Sequence, residues 1–162
     1  MIKYIISLSN EKTTMRLGSA VAYSCQTTCS GCVIYLYGDL GSGKTTFCRG
    51  FLRALGHVGN VKSPTYTLIE PYTLLHWTVY HCDLYRLTTP EELDFLGIRD
   101  YFNHTALWLI EWPQRGNNNL PMADISITLQ YYKNERQAET NALTSIGMQI
   151  LTRLGPLKET LA

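Results

Sequence analysis

The stretch VIYLYGDLGSGKTT, residues 33–46, joins a strand pattern to a helix pattern through a glycine-rich loop. Its Gly-x-x-x-x-Gly-Lys-Thr pattern, residues 38–45, matches the phosphate-binding loop motif at every position. Glycine lacks a Cβ atom, so the backbone can turn tightly there and point successive N–H groups at a phosphate. The stretch therefore predicts a nucleotide-binding site between a buried strand and the start of a helix.

The residues of this loop have distinct chemical roles. The Lys44 ammonium can reach the β and γ oxygens of a nucleotide, and the Thr45 hydroxyl can ligate Mg²⁺. A helix that begins near Gly43 adds the positive end of its dipole. The predicted nucleotide-binding residues of the loop are Asp39, Leu40, Gly41, Ser42, Gly43, Lys44, Thr45 and Thr46.

Length and composition predict one compact domain over residues 1–162. Hydrophobic residues make up 45% of the chain and charged residues 17%, as in soluble globular proteins. The formal net charge of +1 provides no broad attraction for nucleic acid or an anionic membrane, so we expect any RNA contact to be local or to pass through a partner. The amino-terminal MIKYIISLSN is too short for a signal peptide, and we expect a cytoplasmic protein without disulfides.

Three of the five cysteines, Cys25, Cys29 and Cys32, form a Cys-x-x-x-Cys-x-x-Cys pattern. This spacing resembles the iron–sulfur signature of radical S-adenosylmethionine enzymes. Those enzymes use a large barrel, whereas here the triplet ends a predicted helix and directly precedes the phosphate-loop strand. We therefore favour ordinary reduced thiols in a connecting loop, with a cluster as the alternative.

Hydrophobic patterns place further elements around the loop. They predict strands at 3–8, 33–37, 67–72, 78–85, 106–110, 125–131 and 137–143. The strands at 67–72 and 78–85 should pair antiparallel, and the last two strands should form a hairpin that turns at 133–135. Predicted helices follow an Asn10 cap, follow the phosphate loop and end at Gly56, start at Thr89-Pro90, and span 146–154 with Gly155-Pro156 as the end.

Two acids lie at predicted strand ends. Glu111 follows the apolar run ALWLI, which suits a central parallel strand beside the phosphate loop. A carboxylate there can hold Mg²⁺ directly or through water, and an exposed strand-terminal acid is the alternative. Asp83 lies where α/β folds place chemistry. We interpret His81 as a half-buried sheet residue rather than a metal ligand, because no second histidine or cysteine cluster accompanies it at the spacing of a zinc site.

Ser63-Pro64 predicts an extended or turn conformation before Thr65, Tyr66 and Thr67. In nucleotide switches a threonine after the first helix meets Mg²⁺ or the γ-phosphate. From the residues alone, a strand with exposed hydroxyls is an equal alternative.

Four blocks in this order, GDLGSGKTTF, SPTYTLIEPY, HCDLYRL and IEWPQRG, closely resemble the TsaE (YjeE) family, the ATPase component of bacterial tRNA threonylcarbamoyladenosine biosynthesis. The resemblance implies a small α/β fold, which we expect to be a three-layer P-loop fold around a mixed, mainly parallel sheet. It also implies ATP and Mg²⁺ as cofactors. Two partner proteins would install threonylcarbamoyl on the adenosine beside the tRNA anticodon.

The resemblance also implies roles for individual residues. Lys44 binds phosphate, Thr45 and Glu111 hold magnesium, and Asp83 takes part in hydrolysis or its coupling to partners. A mobile switch loop contains residues 65–67, and the segment from Asn10 to Thr14 borders the adenine. The predicted catalytic residues are Lys44, Asp83 and Glu111, the predicted metal ligands are Thr45 and Glu111, and the nucleotide-binding residues outside the loop are Asn10, Thr67 and Trp112.

Three positions depart from the family pattern. Ser42 stands where alanine is usual, Cys82 where phenylalanine is usual, and Glu135 where glycine commonly precedes Arg136. The last departure leaves the hairpin turn and any role of Arg136 open.

Two other nucleotide chemistries remain as alternatives. A small-molecule kinase would use the same loop, but the arginines that follow are scattered rather than clustered as in a lid. A GTPase would carry the guanine-reading Asn-Lys-x-Asp motif, which the sequence lacks. No arginine finger is obvious, so we expect slow hydrolysis by the isolated chain and stimulation by its partners.

Overall fold

A computed structural model gives the structure of the chain and describes residues 2–28, 30–102 and 105–161. The strands are β1 (Lys3–Leu8), β2 (Cys32–Tyr37), β3 (Ile69–Thr73), β4 (Thr78–Asp83), β5 (Leu107–Glu111), β6 (Ile125–Tyr132) and β7 (Glu135–Ala142). The α-helices are α1 (Glu11–Gln26), α2 (Lys44–Ala54), α3 (Glu92–Phe95) and α4 (Ser145–Leu157). Within the described ranges, no helix is both long enough and apolar enough to cross a membrane.

The strands form one mixed sheet in the order β1-β7-β6-β2-β5-β4-β3. Its centre is parallel through the pairs β6·β2, β2·β5 and β5·β4, while β1·β7, β7·β6 and β4·β3 are antiparallel. The predicted α/β fold with a mixed sheet is therefore confirmed. Parallel pairs are half of the total rather than most of it, because the β3–β4 and β6–β7 hairpins and the edge strand β1 add three antiparallel pairs.

Alternate residues of β5 pack into two different hydrophobic clusters. Leu107 and Leu109 belong to a cluster that also contains residues of α1, α2 and α4. Trp108 and Ile110 belong to a second cluster, which contains Leu93 of α3. Successive side chains of a strand point to opposite faces of the sheet. The sheet is therefore covered on both faces, as the predicted three-layer arrangement requires.

Two glycines bring the backbones of α1 and α2 into direct contact. A Cβ atom added to Gly18 would lie 2.2 Å from the carbonyl oxygen of Phe47. A Cβ atom added to Gly50 would lie 2.0 Å from the carbonyl oxygen of Met15. The Ser19 hydroxyl also donates a hydrogen bond to the Gly50 carbonyl across 3.1 Å. The phosphate-loop helix is thus held against α1 by its main chain.

Two helix boundaries differ from the sequence prediction. α3 begins at Glu92 rather than at Pro90, and the Glu92 carboxylate accepts the amide protons of Thr88 and Thr89 ahead of it. α4 continues through Gly155-Pro156 to Leu157. Proline is tolerated so close to the helix end because only one intrahelical hydrogen bond is lost, and Leu157 packs against the core.

The cysteine triplet is described only in part, since Cys29 lies outside the described residues. Cys25 and Cys32 are buried free thiols, but they lie at the end of α1 and the start of β2 rather than in the connecting loop as expected. A hydrogen bond with Cys25 and burial raise the pKa of Cys32 well above its usual value, which keeps that thiol protonated. Protonated thiols are poor metal ligands.

Candidate active site

The carboxyl ends of the parallel strands β2, β4 and β5 open onto a cavity of about 370 Å³. Ligands of open α/β sheets bind at this edge of the sheet. The cavity is lined by Glu11, Leu40, Gly41, Gly43, Lys44, Thr45, Thr46, Ser63, Thr65, Asp83, Tyr85, Glu111, Trp112 and Arg136.

The phosphate loop needs its glycines for two physical reasons. Gly41 and Gly43 have φ angles of 78° and 110°, a region that residues with a Cβ atom rarely adopt. Gly38 has no room for a side chain, since a Cβ atom there would lie 2.6 Å from the Leu129 carbonyl oxygen. Gly43 is the N-cap residue of α2, so the amino terminus of that helix faces the cavity.

Lys44 is held at the mouth of the loop. Its Nζ atom donates to the carbonyl oxygens of Gly38 and Asp39 across 2.5 and 2.8 Å and lies 4.7 Å from the centre of the Trp112 ring. Burial lowers the pKa of Lys44, while the nearby Glu111 carboxylate opposes that shift. The Lys44 ammonium is therefore held inside the loop by two carbonyl oxygens. Phosphate oxygens can replace these carbonyls as its hydrogen-bond acceptors.

Glu111, the last residue of β5, meets Thr45 of α2. The Thr45 hydroxyl lies 3.2 and 3.3 Å from the two carboxylate oxygens of Glu111. The pairing of β2 with β5, in which Leu36 faces Glu111, brings the acid to the end of the phosphate loop. The structure thus brings together the two residues predicted as metal ligands, and both offer oxygen atoms, which Mg²⁺ prefers.

His81 is the buried partner of Glu111. Its Nε2 atom lies 2.6 Å from Glu111 Oε2, and its Nδ1 atom has no hydrogen-bond partner among the described residues. These contacts assign the proton to Nε2, which donates it to the carboxylate. His81 lies on a strand as expected, but it is completely buried rather than half-buried.

Cys48 also faces Glu111, with its Sγ atom 4.0 Å from Oε2. The ligand atoms of Cys48, His81 and Glu111 all lie within 4.8 Å of one another. Burial raises the pKa of the Cys48 thiol well above its usual value, so the thiolate that a soft metal requires is disfavoured. The cluster therefore favours packing around Glu111 rather than a zinc site.

Asp83 lies directly beside Glu111, since the two are register partners on β4 and β5. Its Oδ2 atom accepts a hydrogen bond from the Ser63 hydroxyl, and its Oδ1 atom accepts the Tyr85 amide proton across 3.0 Å. Asp83 is 4% exposed, and the two hydrogen bonds fix the orientation of its carboxylate from both sides. Two acids thus stand side by side at the wall of the cavity.

Aromatic rings close this wall. The Trp112 and Tyr85 ring centres are 4.9 Å apart, and the Arg115 guanidinium lies 5.3 Å from the Tyr85 ring centre. Trp112 adopts the left-handed conformation with φ 58°, which turns the chain sharply after β5. Trp112 was predicted for the site, whereas Tyr85 was missed although it follows Asp83 by only two residues.

Four predicted nucleotide-binding residues do not line the cavity: Asn10, Asp39, Ser42 and Thr67. Thr67 is exposed and lines a separate cavity with Ile69 and Tyr80. The side chain of Asn10 caps α1 and accepts the Thr13 amide proton across 2.9 Å. Neighbouring residues take their places at the cavity wall.

Those neighbours are Thr65 in place of Thr67 and Glu11 in place of Asn10. Asp39 and Ser42 contribute through Lys44, to which they offer a carbonyl and a hydroxyl oxygen at 2.8 and 3.4 Å. Ser63 and Arg136 were not predicted for the site. The position of Ser63, two residues before Thr65, was the sequence feature that could have identified it as a site residue.

Residues 8–139 match the family model described as "Threonylcarbamoyl adenosine biosynthesis protein TsaE". The chain belongs to the TsaE family. The predicted family is therefore confirmed, and the match covers the phosphate loop, both acids and Arg136.

Individual TsaE relatives support the same assignment. A tRNA threonylcarbamoyladenosine biosynthesis protein TsaE from Haemophilus influenzae is 53% identical over 120 residues, which cover 74% of this chain and 76% of the relative. The protein of the same name from Rickettsia bellii is 36% identical over 131 residues, covering 80% and 88%. The crystal structure of Bacillus subtilis YdiB superposes with a TM-score of 0.79 at 26% identity and covers 96% of both chains.

Proposed function

We propose that this TsaE chain is a magnesium-dependent ATPase that serves tRNA threonylcarbamoyladenosine formation without itself transferring the threonylcarbamoyl group. It would drive or reset the assembly that modifies the adenosine next to the anticodon. The observation that carries this proposal is the meeting of Lys44, Thr45 and Glu111 at the end of an intact phosphate loop. These are the parts that P-loop hydrolases use to bind phosphates and magnesium.

The donor atoms around Thr45 fit Mg²⁺. The Thr45 hydroxyl and the Glu111 carboxylate are both hard oxygen ligands, and they already lie within hydrogen-bond distance of each other. When bound, Mg²⁺ would neutralise charge on the β and γ oxygens of ATP. These two side chains would hold it.

The residues of the chain divide the remaining work. Lys44 exchanges its bonds to the loop carbonyls for bonds to phosphate oxygens, and the amides at the start of α2 face the same phosphates. Asp83 and Glu111 stand side by side, and we assign to this pair the orientation of the attacking water. The Ser63 hydroxyl and the Tyr85 amide hold Asp83 in one orientation for that task.

Charge supports an indirect relation to tRNA. The formal net charge of the chain is +1, which is small for a protein that binds a polyanion over a broad surface. We therefore assign tRNA binding to the two partner proteins of the modifying assembly, with at most a local contact from this chain. The proposed place of action is the cytoplasm.

Reconstitution of the modification tests this proposal. The two partner proteins, tRNA and the small-molecule substrates are combined with the wild-type chain, with Lys44→Ala, or with Lys158→Ala as a control on the carboxyl-terminal surface. Repeated rounds of modification should require ATP and the wild-type chain, survive Lys158→Ala, and stop with Lys44→Ala or a non-hydrolysable ATP analogue. Equal modification with Lys44→Ala, or without the chain, would contradict the proposal.

A further inference from the structure

The cavity has two walls, built from different parts of the sheet. Asp83 and Glu111 end β4 and β5 on one side of β2, while β6 and β7 lie on its other side. With strands about 4.8 Å apart, β7 and β5 are separated by roughly 14 Å, about the length of a nucleoside diphosphate. The second wall therefore faces a different part of a bound nucleotide from the first.

The second wall contains Arg136 of the β6–β7 hairpin, and this hairpin projects past the end of β2. The pairing of β6 with β2 stops at Thr128 opposite Tyr37, but β6 continues to Tyr132. Four further residues of β6 extend the hairpin roughly 13 Å beyond the end of β2. The carbonyl oxygen of Leu129 touches the phosphate loop at Gly38, so the hairpin stands beside the loop.

Arg136 reaches from this hairpin to the start of α2. Its Nε and Nη2 atoms lie 3.4 and 3.3 Å from the hydroxyl of Tyr131, its cross-strand partner. Its Nη1 atom lies 3.5 Å from the position that a Cβ atom on Gly43 would occupy. In the described part of the chain, the ion pairs do not include Arg136. An unneutralised guanidinium thus lines the cavity at the helix amino terminus.

We infer that Arg136 binds the α-phosphate end of the nucleotide, an inference that rests on the proposed ATPase function. Lys44 and the Thr45–Glu111 pair direct the β- and γ-phosphates toward β5. The α-phosphate then lies toward β6, at the start of α2, where Arg136 stands. A guanidinium there contacts ATP and ADP equally. It does not stabilise the charge that develops at the γ-phosphate during hydrolysis.

Binding measurements on four proteins test the inference. The dissociation constants for ATP and ADP are measured by calorimetry for the wild type, Arg136→Ala, Arg136→Lys and Lys133→Ala. Lys133 is a matched control, because it is a cation at the tip of the same hairpin and does not line the cavity. Arg136→Ala should weaken both nucleotides by the same factor, roughly ten- to hundredfold, as expected for one lost charged hydrogen-bond contact. Lys133→Ala should have no effect, and Arg136→Lys should lie between.

Hydrolysis rates at saturating ATP supply the second readout. Turnover by Arg136→Ala should stay within about threefold of the wild type, because binding is weakened equally before and during the reaction. A large loss of turnover with unchanged ADP affinity would overturn the inference, since Arg136 would then act at the γ-phosphate. Unchanged affinity and turnover would also overturn it. If the wild type itself failed to bind ATP, the proposed function would fall, and the role of Arg136 with it.

Discussion

Glu111 Oε2 accepts a hydrogen bond from His81 Nε2 across 2.6 Å, and both side chains are buried beside Cys48 of α2. His81 Nδ1 has no hydrogen-bond partner in the described part of the chain, so this is the one polar bond of the ring there. The bond fixes one oxygen of Glu111 and leaves Oε1 3.2 Å from the Thr45 hydroxyl. His81 is therefore a positioning residue for the proposed magnesium ligand.

Replacing His81 should weaken the response to magnesium. His81→Phe removes the donor to Glu111, and the loss of such an outer-shell partner typically lowers metal affinity ten- to hundredfold. We expect the Mg²⁺ concentration for half-maximal hydrolysis to rise by about that factor, measured by titration at fixed ATP. His76→Phe, at an exposed histidine before β4, is the control. A magnesium response unchanged in His81→Phe would contradict the positioning role.

Substitutions of Lys44 and of Glu111 should cause different defects. Lys44→Ala removes the phosphate-binding cation and should abolish tight ATP binding with or without magnesium. Glu111→Gln keeps the shape but loses the charge, so it should mainly impair magnesium-dependent hydrolysis. Titration of both variants with labelled ATP, with and without Mg²⁺, separates the two effects. Identical defects would show that the assigned roles are wrong.

Hydrolysis by the isolated chain should be slow. Among the described residues that line the cavity, Arg136 is the one arginine, and its assignment to the α-phosphate leaves none of them for the γ-phosphate. Such an arginine contributes about a thousandfold or more to turnover in related switches. We expect the two partner proteins to raise the rate, measured as released phosphate. Fast turnover by the chain alone, with no change when the partners are added, would contradict the idea that partner proteins stimulate hydrolysis.

The contact between α1 and α2 should make Gly50 sensitive to substitution. Alanine normally stabilises a helix by about 1 kcal/mol relative to glycine. At Gly50 its methyl group would overlap the Met15 carbonyl, so Gly50→Ala should instead lower the free energy of unfolding by about 1–3 kcal/mol. Arg53→Ala, on the exposed side of the same helix, should change it by less than about 0.5 kcal/mol. Urea denaturation of both variants measures the difference.

Tyr35 should contribute to alkaline unfolding. Burial raises its pKa from 10 to about 12, and its hydroxyl donates to the Pro121 carbonyl across 2.5 Å. Because the folded pKa is the higher one, the stabilisation is complete below pH 10 and is lost as the pH rises toward 12. The deficit of Tyr35→Phe relative to the wild type should therefore shrink between pH 9 and about 11.5. Urea unfolding across this range, with exposed Tyr23→Phe as control, measures it.

Local sequence was sufficient for much of this fold. The glycine spacing at 38–45 encodes a backbone geometry that few other residues allow, and the apolar run before Glu111 forms a strand buried on both faces, as predicted. The hairpin turn was predicted within one residue, because β6 ends at Tyr132 and β7 begins at Glu135; Lys133 and Asn134 between them adopt positive φ angles.

Contacts between distant segments were not predictable in the same way. His81 and Glu111 lie 30 residues apart, and their bond depends on the register between β4 and β5. Thr67 does not line the cavity, and Leu68 after it, with φ 67°, turns the chain just before β3. Arg136 reaches the phosphate loop only because β6 outruns β2, which no local pattern encodes.

The backbone contact between α1 and α2 at their glycines fixes one part of the nucleotide cavity, while another part can adjust. α1 starts with Glu11 and α2 with Lys44, and both residues line the cavity. Because main chain rests on main chain at Gly18 and Gly50, no side-chain rearrangement can change the spacing of these helix starts. We expect the shape changes that accompany the proposed binding and hydrolysis of ATP to fall on residues 57–68, whose Ser63 and Thr65 also line the cavity. A partner that senses ATP would read that segment.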